Sequence, residues 1–309
     1  MKRISRRSFF KAGTTAALAG ILGFKSAPAQ ARAFSGYAHS KAVLVDLTRC
    51  IGCRSCEAAC NKEQGLPAPA TPFTDQSVFA DTGHLGHRRP DDKAYTVVDR
   101  TDSPLADHPL FRKIQCNHCL EPSCLTACFV NAYTKTAQGA VIYDPSVCVG
   151  CRTCMVACPF SIPAFRYDSA LHPRIMKCQF CYETRLQYDR PPACVEACPR
   201  DALTFGERES LLRIARHRIR TRPDEYVNHI YGEHEAGGTS WLYLSPVPFA
   251  EAGFDTTVPT EPIINYVKDF LAIVPMVLTI WPALFAGFHL LARRNRVHPD
   301  SADTEISDE

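Results

Sequence analysis

The sequence predicts an α+β protein of short strands and helices built around groups of cysteines, followed by one membrane-spanning helix. Three observations support this fold class. The 309-residue chain contains 16 cysteines, and all of them fall into four groups of four. The first and third groups lie in two copies of one short sequence, which indicates an internal repeat. An uncharged, mainly apolar stretch runs from Phe270 to Ala292, long enough to cross a membrane.

Each cysteine group contains a C-x2-C pair and ends with a C-x3-C pair. Bacterial ferredoxins bind [4Fe–4S] clusters with this spacing, and the fourth thiolate of one run ligates another cluster. The sequence therefore predicts four [4Fe–4S] clusters and a role in electron transfer. The groups are Cys50, Cys53, Cys56 and Cys60; Cys116, Cys119, Cys124 and Cys128; Cys148, Cys151, Cys154 and Cys158; and Cys178, Cys181, Cys194 and Cys198.

Zinc and disulfides are the alternative uses of these cysteines. A zinc ion needs four tetrahedral ligands, usually as two separated pairs, and the runs in the first and third groups exceed that need. Disulfides are typical of exported proteins with an even number of cysteines. The N-terminal residues predict export by a route that carries folded proteins. Such a route suits a protein that already holds metal clusters, whereas a disulfide protein does not require it.

Residues 1–31 are predicted to be a twin-arginine signal peptide. The segment Ser5–Lys11 reads SRRSFFK, a mildly apolar stretch follows, and Ala29–Ala31 provides a small-residue cleavage site. Export in the folded state would allow the thiolates to hold iron before they meet an oxidising compartment. An ordinary basic N-terminus is the alternative.

Residues 263–293 are predicted to form a membrane anchor helix. At about 1.5 Å per residue the apolar stretch crosses a hydrocarbon core of about 30 Å, and membrane helices tolerate its two prolines. More basic residues follow the span than precede it, so the positive-inside rule places the C-terminus in the cytoplasm. The cluster domain then lies on the periplasmic side of the bacterial inner membrane, and residues 294–309 form an acidic cytoplasmic tail. A buried helix of a soluble protein is the alternative.

The periplasmic domain, residues 32–262, is predicted to contain two nested two-cluster units. The linker from Cys128 to Cys148 has the length found in a compact two-cluster ferredoxin, so the second and third groups should form an inner unit. The first and fourth groups would then form an outer unit around it. The predicted segments are 41–60 and 174–206 for the outer unit, 112–165 for the inner unit, and 61–111 for an insertion.

Exchange of the fourth cysteine within each unit gives four ligand sets. Clusters A and B belong to the outer unit, and clusters C and D to the inner unit. The sets are Cys50, Cys53, Cys56 and Cys198 for cluster A; Cys178, Cys181, Cys194 and Cys60 for cluster B; Cys116, Cys119, Cys124 and Cys158 for cluster C; and Cys148, Cys151, Cys154 and Cys128 for cluster D.

Several further elements follow from local patterns. Strands are predicted at Ala94–Asp99, within the insertion, and at Gly139–Tyr143. A helix is predicted at Glu207–Arg222, with an arginine-rich face that is either solvated or in contact with lipid or a partner. Arg54 and Arg152 occupy matching repeat positions and either raise the cluster potentials or are solvated. The residues predicted to face inward on the helix are Leu211, Leu212, Ile214, Ala215 and Ile219.

Over roughly residues 41–206 the chain resembles the ferredoxin-like subunits of molybdopterin oxidoreductases and hydrogenases. The signal peptide, the segment Gly237–Leu244 and the single C-terminal span make it most similar to the iron–sulfur subunit of nickel–iron hydrogenases of the hydrogenase-2 type. Formate dehydrogenase beta subunits come second. The chain departs from the full motif at Asn61 and Phe129, where proline is usual, but proline is not a ligand.

This resemblance implies two protein partners and the membrane. One is a catalytic oxidoreductase subunit, either a NiFe hydrogenase or a molybdopterin enzyme, and the other is a multi-span quinone-reactive membrane subunit. The outer clusters would face the catalytic subunit and the inner clusters the membrane. Nitrate reductase beta subunits have tryptophan at one cysteine of the third group and hold a [3Fe–4S] cluster; here Cys151 is intact.

No active site of its own is predicted for the chain. It lacks a Walker loop, a dinucleotide-binding glycine pattern and an H-E-x-x-H motif, and no C-x2-C pair precedes a histidine as in c-type haem attachment. A net charge of +3 gives no indication of nucleic-acid binding. Three functions stay open: an electron-transfer subunit that delivers electrons to quinone, a reductase subunit working in the opposite direction, and a metal-rich structural protein.

Overall fold

The computed structural model describes residues 39–80, 86–168 and 174–295, although the side chains of 267–272 and 294–295 are not described. The predicted signal peptide and residues 296–309 of the predicted tail lie outside these ranges. In the described ranges the strands are β1 (Lys41–Asp46), β2 (Thr96–Thr101), β3 (Leu110–Gln115), β4 (Tyr133–Lys135), β5 (Val141–Tyr143), β6 (Ala164–Arg166), β7 (Arg174–Met176), β8 (Leu203–Glu207) and β9 (Trp241–Leu244). The α-helices are α1 (Ser55–Glu63), α2 (Ser123–Thr126), α3 (Thr153–Val156), α4 (Ala193–Glu196), α5 (Arg208–Thr221) and α6 (Ile264–Asn295).

A three-stranded sheet joins the two ends of the cysteine-containing segment. Strand β1 precedes the first cysteine group and pairs antiparallel with β8, which follows the fourth group. On its other edge β1 pairs in parallel with β9. Val43 lies opposite Phe205 on one side and opposite Trp241 on the other. The central position of β1 therefore holds distant parts of the chain together.

Strand β1 is buried on both faces, which explains its unbroken apolar sequence. Val43 and Val45 pack into a core that also contains Trp241. Ala42 and Leu44, which point the other way, pack into a second core beneath helix α5. All four side chains are at most 1% exposed.

Helix α5 confirms the predicted helix at Glu207–Arg222 to within one residue at each end. The prediction for Ile214 was wrong, because this side chain is 40% exposed. Successive helical residues are about 100° apart, so Ile214 lies about 60° outside the stripe that begins at Leu211. The residues that do face inward are Leu211, Leu212, Ala215 and Ile219.

Two paired strands lie where the sequence predicted one, and the second begins at the end of the insertion and continues into the predicted inner unit. Strand β2 corresponds to the predicted Ala94–Asp99, and β3 pairs with it antiparallel, with Val97 opposite Ile114. Strand β3 was missed because Arg112 and Lys113 interrupt its apolar pattern, yet both side chains are buried. The strand predicted at Gly139–Tyr143 is confirmed as β5, which pairs with β4.

The short helices after the cysteine loops pack in two pairs. Helix α1, in the first group, packs against α4 in the fourth, and α2 packs against α3, from the second and third groups. Helix α6 contains an apolar window, Ile273–Arg293, that is long enough to cross a membrane by length and composition. None of that window is buried by the rest of the described chain.

Candidate metal centres

The loops of the first and third cysteine groups have the same backbone conformation. Gly52 and Arg54 have φ values of 68° and 60°, and the matching Gly150 and Arg152 have 71° and 62°. Two left-handed residues so close together turn the chain sharply between successive cysteines. The sequence repeat is thus also a repeat of backbone geometry.

The second and fourth groups match each other in the same way. His118 and Phe180 each precede the second cysteine of their group, and have φ values of 48° and 59°. Their rings stack on each other, with centroids 4.8 Å apart and planes inclined by 18°. Both side chains are fully buried. Equivalent positions of the two groups therefore meet in the core.

A second turn follows the last cysteine of three groups. Asn131, Ser161 and Asp201 each lie three residues after that cysteine, have positive φ, and donate their N–H to its carbonyl. The turn forms even after Phe129, where the motif usually has proline. After the first group, α1 continues as a helix instead.

Thiols of the first group lie beside thiols of the fourth group. Burial raises the pKa of Cys50 to about 11, with contributions from the thiols of Cys198 and Cys53. Burial also raises the pKa of Cys60, and the strongest thiol neighbour of Cys60 is Cys178. One cavity in this region is lined by all four predicted ligands of cluster A, which are Cys50, Cys53, Cys56 and Cys198.

Thiols of the second group lie beside a thiol of the third. Burial raises the pKa of Cys119 well above its ordinary value, and the thiol that contributes most is Cys158, ahead of Cys116 and Cys124. Burial also raises the pKa of Cys158 to about 11, with Cys116 as its strongest thiol neighbour. The structure thus brings together the four predicted ligands of cluster C.

The remaining thiols form the least enclosed set. Burial raises the pKa of Cys154, with further contributions from Cys148 and Cys151. Cys128 and Cys154 share one core, against which Cys148 packs. Cys151 is the one cysteine of the sixteen that is exposed.

Several thiols accept hydrogen bonds from the backbone. The N–H groups of Ala132, Gly150 and Phe180 donate to the sulfur atoms of Cys128, Cys148 and Cys178, at 3.3, 3.4 and 3.3 Å. Hydrogen bonds of this kind stabilise thiolates, and in iron–sulfur proteins they help to set the potential.

The donor set fits iron–sulfur clusters. All sixteen cysteines are free thiols. Burial raises the pKa of several of them that lie beside one another, and a bound metal favours the thiolate form at such sites. In the described ranges, no group of three or more His, Cys, Asp or Glu side chains could hold a single metal ion. Four thiolates around a four-iron cluster are spread more widely than four ligands around one ion.

Comparison with known proteins agrees with this geometry. Residues 108–208, which include the second to fourth cysteine groups, match the family model of the 4Fe-4S dicluster domain. The chain is 31% identical to the Hydrogenase-2 operon protein HybA of Escherichia coli O157:H7, in an alignment that covers 98% of this chain and 100% of the relative. The chain belongs to the ferredoxin-like iron–sulfur subunits of the hydrogenase and formate dehydrogenase type.

Two further relatives support this family. The nitrate-inducible formate dehydrogenase iron-sulfur subunit of Escherichia coli K12 is 31% identical over 222 residues, which are 70% of this chain and 71% of the relative. A protein of Nitratidesulfovibrio vulgaris strain Hildenborough is 52% identical over 261 residues, 84% of this chain and 69% of the relative. As an iron–sulfur subunit of this type, the protein transfers electrons.

Several large apolar side chains next to the cysteines of the second and third groups are exposed. Phe129, which follows Cys128, is 70% exposed; Val149, between Cys148 and Cys151, is 56% exposed; and Val156, between Cys154 and Cys158, is 88% exposed. Exposed apolar side chains of this size are found at interaction sites.

The two arginines singled out in the sequence lie in different environments. Arg54 is 2% exposed, and it donates to Glu57 at 3.0 Å and to two backbone carbonyls of the insertion. Arg152 is exposed, and its guanidinium lies 4.7 Å from the centroid of the Phe165 ring. The repeat has kept the residue type and its backbone conformation, but its environment differs.

Two buried lysines and one half-buried lysine, Lys135, were missed by the sequence analysis. Lys113, Lys135 and Lys177 lie close to the cysteine groups, and their charges lower the pKa of neighbouring thiols. Burial lowers the pKa of Lys135 itself to about 8. The signal that could have found two of them is proximity, because Lys113 lies three residues before Cys116 and Lys177 directly precedes Cys178.

Proposed function

We propose that this iron–sulfur subunit relays electrons through four [4Fe–4S] clusters between a catalytic subunit and a membrane-embedded quinone-reactive subunit. The catalytic subunit of this proposal is a NiFe hydrogenase. The observation that carries the proposal is the arrangement of sixteen free cysteines in four groups whose thiols lie beside those of a second group.

The four ligand sets proposed from the spacing have structural support of different strength. For clusters A, B and C, the fourth cysteine lies among the thiols of the other three. For cluster D, the support is that Cys128 shares a core with Cys154. Each cluster, when bound, takes up and releases one electron; the chain supplies the thiolates, the N–H groups that donate to them, and the burial that excludes water.

The nested arrangement of two ferredoxin-like units is supported by element packing. Strand β1 pairs with β8, and helix α1 packs against α4, so the first and fourth groups share one sheet and one helix pair. The second and third groups share the α2–α3 pair and the β4–β5 hairpin between them. In this proposal, clusters A and B belong to the outer unit and clusters C and D to the inner unit.

The proposed location is the bacterial inner membrane, with the cluster domain in the periplasm and the C-terminus in the cytoplasm. Helix α6 supports an anchor because its apolar window is long enough to cross a membrane. The S-R-R-x-F-x-K segment and the arginines that follow the span support the orientation. The exposed Phe129, Val149 and Val156, which are sequence neighbours of the cysteines proposed for cluster D, support docking of the membrane partner beside this cluster, with the catalytic subunit at the outer pair.

Formate dehydrogenase is the second candidate complex, because the formate dehydrogenase relatives are as similar in identity as HybA. A quinol-linked reductase of the polysulfide or dimethyl sulfoxide type is a further alternative, since a chain of clusters conducts electrons in either direction.

Spectroscopy of the native complex tests these candidates. The tagged chain is purified anaerobically from its own membranes, and the cluster absorbance is followed while hydrogen, formate or quinol is added. We expect bleaching with hydrogen and not with formate. Bleaching with formate alone assigns the chain to a formate dehydrogenase, and bleaching with quinol alone assigns it to a reductase. Iron content below four atoms for each of four clusters would contradict the cluster count.

A further inference from the structure

Lys113 on strand β3 is a buried cation next to the thiols of the outer unit. Its side chain is 3% exposed. Its Nζ atom donates to Thr96 Oγ1 at 2.6 Å and to Gln115 Oε1 at 3.1 Å. The same atom lies 4.7 Å from the centroid of the Trp241 ring. Two oxygen acceptors and an aromatic face are an environment that suits a protonated ammonium group.

In the part of the chain that the structure describes, Lys113 forms no ion pair with a carboxylate. Its hydrogen-bonding side-chain partners are neutral, and the strongest anionic influences on it come from cysteine sulfurs. A buried charge is costly unless an opposite charge offsets it. The groups that act most strongly on the Lys113 charge are thiols of the first and fourth cysteine groups. The thiols concerned are Cys194, Cys56, Cys178 and Cys60.

These thiols come from both clusters of the outer unit. Cys56 belongs to the proposed set for cluster A, whereas Cys60, Cys178 and Cys194 belong to cluster B. Lys113 also lines the cavity formed by the cluster A cysteines. One ammonium group is therefore shared between two predicted clusters.

We propose that Lys113 is the fixed counter-charge of the outer unit and raises the reduction potentials of clusters A and B together. The proposal rests on the ligand sets given above. A cluster gains one negative charge when it is reduced, so a nearby fixed cation stabilises the reduced form. Because the site is buried, solvent and salt screen this interaction little. Clusters A and B would therefore be easier to reduce than they would be without the lysine.

The inner unit has a different buried cation. Lys177 is 1% exposed, and its charge acts on Cys124 and Cys158, which belong to the proposed set for cluster C. It donates to two backbone carbonyls, those of Val141 and Cys178. The thiols that act most strongly on Lys113 all belong to the outer unit, so its charge is expected to act on the outer pair selectively.

Redox titration of the complete purified complex, followed by electron paramagnetic resonance, tests the proposal. Lys113→Met removes the charge and keeps most of the volume, whereas Lys113→Arg keeps the charge. Lys62→Met is the matched control, because Lys62 is an exposed lysine two residues after Cys60 and its charge is screened by solvent. Cys53→Ser and Cys181→Ser identify the signals of clusters A and B.

We expect the midpoint potentials of clusters A and B to become more negative in Lys113→Met, while those of C and D stay unchanged. Lys113→Arg and Lys62→Met should titrate like the wild type. If the Met variant does not assemble, Lys113→Gln replaces it, because glutamine keeps a hydrogen-bonding group without charge. Wild-type potentials for A and B in the neutral variant, or an equal shift of all four clusters, would overturn the proposal. A wild type without four clusters would instead overturn the proposed function.

Discussion

Gly52 has no room for a side chain. A Cβ atom there would lie 2.4 Å from the Phe111 ring, and its φ of 68° is in the left-handed region. Gly65 has a similar φ of 59°, but nothing lies within 4 Å of its Cβ position. Alanine substitution at the two glycines therefore separates the free-energy cost of the backbone conformation, which both sites share, from the cost of the steric clash, which only Gly52 has.

Gly52→Ala is therefore expected to destabilise the protein more than Gly65→Ala. Both variants incur about 1–2 kcal/mol for a left-handed alanine, and Gly52→Ala adds about 1–3 kcal/mol for overpacking against Phe111. The measurement is the temperature at which the cluster absorbance is lost on heating. Equal temperatures for the two variants would show that the Phe111 contact does not constrain this loop.

Cys53→Ser is expected to damage or remove cluster A and to uncouple substrate oxidation from quinone reduction. Cys53 is a predicted ligand in the first group, and serine is a poor substitute for a thiolate. Iron content and spectroscopic signals measure the loss, and Cys151→Ser should affect cluster D instead. Undiminished quinone reduction by Cys53→Ser would refute the electron-relay function.

The cysteine groups could be recognised from sequence, but the burial of the lysines beside them could not. Spacing alone predicted all sixteen cysteines as ligands, because a cluster imposes fixed separations along the chain. Lysine has no such spacing rule, and its default location is the surface. Lys113 is buried only because β2, β9 and the cysteine loops meet around it, which is a property of the tertiary structure.

Among the elements, helix α5 provides a direct test of packing against the central sheet. Leu211 is 1% exposed, in the core beneath β1, whereas Ile214 is 40% exposed on the same helix. Leu211→Ala should cost about 2–5 kcal/mol by leaving a cavity, and Ile214→Ala about 0.5 kcal/mol or less. The loss of cluster absorbance on heating again reports the effect. Similar losses from both variants would contradict the packing described for α5.

Elements were predictable where one periodic pattern dominated. Helix α5 has an apolar stripe at helical spacing, and its ends were predicted to within one residue. Strand β1 was not predicted, because a short apolar run does not show which strands lie beside it, and its partners β8 and β9 are distant in sequence. Strand β3 was hidden by its two buried basic residues. In both strands, tertiary contacts supplied what the local sequence lacked.

At the scale of the whole molecule, removal of helix α6 should release the protein from the membrane. A chain that stops after residue 263 lacks the apolar window Ile273–Arg293, and we expect it to appear in the soluble fraction with its clusters intact. A control chain that stops after residue 295 keeps the window and should stay bound to membranes in alkaline carbonate. Membrane retention of the shorter chain would show that something other than α6 anchors it.

The order in which the chain is synthesised has a consequence for assembly. Strand β1 is made before any cysteine, but β8 and β9, its two sheet partners, are made after the last one. Until the ribosome has completed β8, the first cysteine group has neither its sheet nor the fourth group beside it. The outer unit therefore closes late, as expected for contacts between distant parts of a chain. Under the proposed function, the clusters of the outer unit would be inserted largely after translation, and before the predicted export of the folded protein.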